Sequence, residues 1–140
     1  MINSIQTVFT RPNVLFLLDG LKTTLLISLC VVILSIVFGT FLGLVRNYEK
    51  MFFGKIAGFY IELFRNTPLL LWMLGCAFLI PGSTIVVKAS IALFLYTAAV
   101  VAEIVRGGLN SIPKGQFEAA HSQGFSFFQT LVYIILPQTF

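Results

Sequence analysis

From Thr23 to Val45 the chain carries no charged residue. That run exceeds the ~20 apolar residues a helix needs to cross a hydrocarbon core, so a spanning helix over about 21–45 is the first expectation. Composition agrees. Hydrophobic residues make up 58% of the chain and charged ones 10%, with a mean hydropathy of +0.98, against about a quarter charged in ordinary soluble domains. The chain therefore reads as an all-α integral membrane protein. Its net charge of +4 invites a nucleic-acid reading, but the basic residues are scattered between apolar runs and form no stripe, which excludes that class.

The rest of the chain divides around that span. Residues 1–20 hold Arg11, Pro12 and a short apolar patch closed by Asp19 and Gly20. They lack the long apolar core and cleavage site of a signal peptide and read as a segment lying on the membrane surface. Within the first span, Gly39 and Gly43 have the small-xxx-small spacing that lets helices approach closely in a membrane. Between Arg46 and Arg65, the residues Phe52, Phe53, Ile56, Phe59, Tyr60 and Phe64 recur at helical spacing and suggest an interfacial helix, or else a polar connector with aromatic anchors. Thr67 as cap and Pro68 in the first turn open a second span, about 67–87. Pro81 and Gly82 are expected to kink it or mark its outer end, with Ser83–Val87 as the turn. A third span, about 89–105, lies between Lys88 and Arg106. Glu103 near its end pairs with Arg106 three residues on, or else lines a translocation path. Arg46, Lys50, Lys55 and Arg65 outweigh Lys88, so the positive-inside rule puts the first connection in the cytoplasm, the N-terminus outside and everything after Arg106 in the cytoplasm again.

The stretch Gln116–Pro137 sets charge, small residues and a helix breaker together. Pro113, Lys114 and Gly115 break what precedes, so a new helix is expected near Gln116. Phe117, Ala120, His121 and Gly124 share one face of it. Such a short helix is marginal alone and must dock on something. Gly124 is expected to let the backbone bend before the apolar run 125–136, and Pro137 to end or kink that run. On these residues alone, a surface amphipathic helix ending in a turn is an equally open reading.

The order Glu118-Ala119-Ala120, three residues, Gly124, nine residues, Ile134, one residue, Leu136-Pro137 resembles the cytoplasmic coupling motif of the permease subunits of bacterial ABC importers. The stretches Gly20–Leu25, FRNTPLLL (64–71) and AEIVRGGLNSIPKGQ (102–116) are similar to the polar-amino-acid branch of that family. The resemblance implies a type I ABC importer transmembrane domain of which this chain holds about three spanning helices and a cytoplasmic coupling loop, about 111–137. It implies that Glu118, Ala119, Ala120 and Gly124 contact a cytoplasmic ABC ATPase, with Ile134, Leu136 and Pro137 supporting the loop. It further implies an extracytoplasmic amino-acid-binding protein, a second permease subunit, identical or related, and residence in the bacterial cytoplasmic (inner) membrane. Because the family expects further spans beyond the Leu-Pro pair, a truncated product is also expected here. That leaves as an alternative a nonfunctional or regulatory membrane fragment that keeps only the ATPase-docking surface.

Little else in the sequence suggests chemistry. Cys30 and Cys76 lie in expected spans and give no metal spacing or disulfide framework. His121 is the only histidine and has no clustered carboxylates beside it, so zinc hydrolysis is not expected. Ser111 and Ser122 have no base at a suggestive spacing. A phosphate-binding G-x-x-x-x-G-K is absent, so ATP must be hydrolysed by a partner. No catalytic residue, metal or cofactor is expected.

Overall fold

The computed structural model describes residues 10–49 and 51–139, and every regular element among them is helical. Helix α1 (Arg11–Tyr48) is followed by α2 (Phe52–Asn66), α3 (Leu69–Leu79), α4 (Ile85–Ser111) and α5 (Lys114–Ser122). A short α6 (Phe127–Gln129) then continues through a π-helical stretch, Thr130–Ile135, into α7 (Leu136–Thr139). Two helices among the described residues, α1 and α4, are long and apolar enough to cross a membrane.

Helix α1 begins before the expected span. Pro12 sits in its first turn, where a missing N–H costs nothing and the fixed φ suits a helix, so the proline starts the helix. Asp19 and Gly20 do not interrupt it. The hydroxyls of Thr23 and Thr24 donate to the carbonyls of Asp19 and Gly20, 2.9 Å each, which satisfies polar side chains within the helix itself. Residues 11–20 are thus helix continuous with the span. The remainder of the expected surface segment, 1–9, lies outside the described residues.

Val31, Ser35, Gly39 and Gly43 form the buried seam of α1, four residues apart and so on one face. They face Ala98, Ala99, Ala102 and Val105 of α4, all essentially buried. The two helices run parallel. Ser35 Oγ donates to the Phe94 carbonyl at 3.4 Å, Gly39 lies against Ala98 and Val101, and Gly43 against Ala102 and Val105. A Cβ on Gly39 would stand 2.7 Å from the Ala98 oxygen, and one on Gly43 2.6 Å from that of Ala102. The contact is backbone on backbone, as expected where lipid removes the hydrophobic drive between helices and close packing replaces it. Outside the seam α1 presents Leu18, Leu25, Leu29, Val37 and Phe41 as exposed apolar surface, the kind of surface that marks contact with a membrane or another protein segment.

Helix α2 buries a face other than that of Phe52, Phe53, Ile56 and Phe59, which the sequence marks as the apolar face of an interfacial helix or as aromatic anchors. Gly54, Ala57, Gly58, Ile61 and Phe64 turn inward, while Phe52, Phe53, Ile56 and Phe59 are exposed. Small residues win the inner face because they let α2 sit close on α1 and α4, and the bulky rings are left outside. Phe64 stacks on Trp72 of α3 at 4.0 Å, and the Tyr60 hydroxyl donates to the Leu95 carbonyl of α4 at 2.7 Å.

The span expected over 67–87 is an 11-residue helix, Leu69–Leu79, about half the length a crossing requires. Thr67 does not cap it. Pro68 occupies that place with no side-chain cap, and its carbonyl receives the Leu71 N–H at 3.0 Å. The residue before a proline is pushed to extended backbone, which explains why Thr67, at ψ 131, separates α2 from α3. Pro81 and Gly82 follow the C-terminal end of α3, and the turn closes at Thr84, whose side chain accepts the Val87 N–H at the start of α4. Lys88 bounds no span. It lies in the first turn of α4 and donates from Nζ to the Ala77 carbonyl at 2.9 Å, satisfying an acceptor that the end of α3 leaves open.

The seam makes a testable demand. Replacing Gly43 by Val should destabilise the chain by about 1–3 kcal/mol, the usual cost of forcing bulk into a filled contact. Gly20→Ala, whose Cβ would meet nothing within 4 Å, should be neutral or slightly stabilising. Melting curves of the two variants in detergent check the contrast.

Candidate functional site

Helix α5 starts at Lys114, two residues before the expected Gln116, because Pro113 itself occupies the position ahead of the first turn and its carbonyl accepts the Gln116 N–H at 3.0 Å. Of the residues expected on its shared face, Ala120 is 2% exposed and Phe117 is half-buried, whereas His121 and Gly124 are exposed. His121 Nδ1 lies 3.0 Å from the Phe117 carbonyl, and Ser122 Oγ donates to the Glu118 carbonyl at 2.9 Å. Glu118, Ala119, His121 and Ser122 therefore form the outward side of α5, and Ala120 its anchor.

The helix ends in a Schellman turn. Gly124 takes φ +83, its N–H bonds to the His121 carbonyl at 2.9 Å, and the Phe125 N–H returns to the Ala120 carbonyl at 3.1 Å. This left-handed position suits glycine and strains any residue with a Cβ. The bend expected at Gly124 is present, and the glycine is what allows it.

The chain restarts at once through a capping box: Ser126 Oγ accepts the Gln129 N–H, and Gln129 Oε1 accepts the Ser126 N–H at 2.9 Å. The S-x-x-Q spacing that signals it was readable in the sequence. Beyond it, Pro137 does not end the apolar run, which remains helical through Thr139. Instead the backbone widens ahead of the proline, and the Leu136 N–H reaches five residues back to the Leu131 carbonyl. Proline lacks the N–H for a normal helical bond and its ring crowds the carbonyl four residues earlier, so a π-helical turn accommodates it without breaking the helix.

This segment folds back on the end of α4. Leu131 and Ile135 join Val105, Leu109 and Ile112 in one buried cluster, with Leu44, Phe117, Ile134 and Leu136 around it. Tyr48 meets Phe127 edge-on at 5.1 Å. Ile134 and Leu136 thus pack against the cluster, while Pro137 is exposed.

A second constellation lies next to that cluster. Glu103 does pair with Arg106, Oε1 to Nη2 at 2.5 Å, but that pair is one arm of a larger hub. Arg46 Nη1 of α1 lies 3.2 Å from Glu103 Oε2, and Arg65 Nη1 of α2 lies 3.6 Å from Oε1. Arg46 also reaches Glu62 through Nη2 at 2.7 Å. Three arginines and two carboxylates from α1, α2 and α4 converge here. An acid in a spanning helix costs about 2.5–3.5 kcal/mol to insert near the centre, and surrounding the carboxylate with guanidinium groups offsets that cost. Arg46 and Arg65 are therefore not loop charges. Both sit in the last turns of their helices and face Glu103.

Comparison with known proteins places this architecture. Residues 35–140 match the model of the family described as binding-protein-dependent transport system inner membrane component. The chain belongs to this family. Among curated relatives, it is 37% identical to the probable glutamine ABC transporter permease protein GlnP of Bacillus subtilis, over 93% of this chain and 62% of that protein. It is 38% identical to the arginine transport system permease protein ArtQ of the same organism, over 94% and 62%. The glutamate/aspartate import permease protein GltK of Escherichia coli O6:H1 is 33% identical over 92% and 63%. The chain thus spans somewhat under two thirds of the length of these relatives. Among solved structures, one described as an amino acid ABC transporter with histidines aligns with a TM-score of 0.61 and 31% identity, covering 87% of this chain and 64% of that one.

For this member of the inner-membrane component family, Gly124→Ala should cost about 1 kcal/mol locally, since the left-handed backbone penalises a Cβ. Hydrogen exchange should show faster opening of the α5 amides, with those of α4 unchanged.

Proposed function

We propose that the chain is a membrane-spanning permease subunit of an ATP-driven importer for a polar amino acid. The observation that carries the proposal is the segment Lys114–Thr139: a short helix with Glu118 and Ala119 turned outward, seated through Ala120 and Phe117 and bound by the following helix to the end of a spanning helix. A surface that must receive force needs exposed contact residues and a rigid attachment, and this one has both. Glu118 and Ala119 contact the cytoplasmic ATPase in this reading. Ala120 and the Gly124 turn fix the angle at which they are presented, while Ile134, Leu136 and Pro137 shape the return helix.

ATP is hydrolysed by that partner, and this chain contributes no catalytic group. An extracytoplasmic binding protein delivers the solute, and a second permease subunit completes the pathway. The N-terminus lies outside and the Lys114–Thr139 segment in the cytoplasm. Support for the orientation comes from Arg46 and Lys55 beside the α1–α2 connection against Lys88 at the other end of α4. The relatives are named for glutamine, arginine and glutamate/aspartate, which supports a polar amino acid as the solute class.

Affinity isolation of the native protein from its own membranes, read by mass spectrometry, tests the assignment. We expect an ABC ATPase and an amino-acid-binding protein to be recovered with it, and Glu118→Lys to reduce ATPase recovery at least tenfold without lowering the membrane level of the chain. Recovery of the native chain with no ATPase would overturn the proposal. Uptake of labelled glutamine, glutamate and arginine by the same cells identifies the solute.

A further inference from the structure

Four ion pairs join three helices, three of them at the Glu103 carboxylate, and they are unequal. Arg106–Glu103 lies within α4, and Arg46 is held from both sides, by Glu103 and Glu62. The Arg65–Glu103 contact is longer, at 3.6 Å, beyond hydrogen-bond reach. Arg65 is also the most exposed of the three arginines, at 44%. It is therefore the contact that parts most readily.

Its placement gives that weakness a consequence. Arg65 is in the last turn of α2, immediately before the break at Thr67–Pro68, where the chain turns into α3. Glu103 is two residues before Val105, which carries the buried cluster seating Leu131 and Ile135. A displacement of α5 and the helix after it thus reaches α4 at Val105 and Leu109, and from α4 the direct polar route to the α2–α3 break is Glu103 to Arg65. Coupling between distant sites requires an element with two arrangements that both sites bias. A partly exposed ion pair between two helices can supply one, because opening it exchanges a weak contact for solvation of two charges.

We infer that Glu103 is a positioning residue for the transport step: its contact with Arg65 opens and closes as the protein changes access, carrying movement of the Lys114–Thr139 segment to the α2–α3 break. The inference rests on the importer reading above. Arg46 and Arg106 hold the carboxylate in place throughout, so that Arg65 returns to the same partner.

The test compares Glu103→Gln, Arg65→Gln and Arg65→Lys in the native complex, isolated from membranes and reconstituted in vesicles. The readout is solute taken up per ATP hydrolysed, together with recovery of the complex. Both Gln variants should be recovered, keep hydrolysing ATP and lose at least tenfold in that ratio, while Arg65→Lys, which preserves the charge, should stay within threefold of the parent. A ratio unchanged in either recovered Gln variant overturns the inference. So does failure to recover both Gln variants, because the cluster would then serve assembly alone. A parent complex that shows no ATP-dependent uptake at all would instead sink the importer reading on which the inference stands.

Discussion

The approach of α1 to α4 governs the rest of the structure. Gly39 and Gly43 bring two spanning helices so close that no side chain separates their backbones, and this fixes their register to within a residue. Because the helices are parallel, the alignment that places Gly39 beside Ala98 and Gly43 beside Ala102 brings the long side chain of Arg46, one turn further along α1, within reach of Glu103. The ionic hub is therefore a product of the seam. A slip of one residue along α1 would rotate Arg46 about 100° away from α4 and leave Glu103 short of a partner in a region where an uncompensated carboxylate is expensive.

The hub in turn explains how α2 can leave its large aromatic residues outside. With Gly54, Ala57 and Gly58 inward, α2 gains little from side-chain burial in lipid, where apolar contact brings no net hydrophobic drive. Its attachment relies on close backbone approach, on the Tyr60 hydroxyl bond to Leu95 and on Glu62 and Arg65 at the hub. An attachment made of a few polar contacts differs from an interdigitated core: it can be released at one point without repacking everything around it.

The legibility of the chain followed from how local each signal was. The long uncharged run, the glycine pair of the seam and the Gly124 turn were readable because each depends on residues within one helix or turn. The Glu103–Arg106 pair was readable for the same reason, being three residues apart. Arg46 and Arg65 were read only as charges of the first connection because their partner lies on another helix, and no periodicity in their own segments points to it. Which face of α2 turns toward the other helices was not legible for a related reason. Spacing identifies which residues share a face but not which face turns inward, and there Gly54, Ala57 and Gly58 lie beside Ile61 and Phe64. Proline failed as a uniform stop signal: Pro12 opens a helix, Pro68 divides two, and Pro137 is absorbed by a widened turn.

Placed together, these features separate two mechanical roles. The backbone seam between α1 and α4 cannot yield by small steps, since any separation opens a void along its length. The contacts of α2 at the hub can. In the proposed importer subunit, alternation between two forms with the spanning helices kept together would use one joint of each kind. The rigid joint is made from glycine, serine and alanine, where lipid supplies no drive to separate polar groups. The yielding joint is made from charges on α1, α2 and α4, where water can compensate the opening at Arg65, the most exposed of the arginines. The Lys114–Thr139 segment is fastened to α4, which takes part in both.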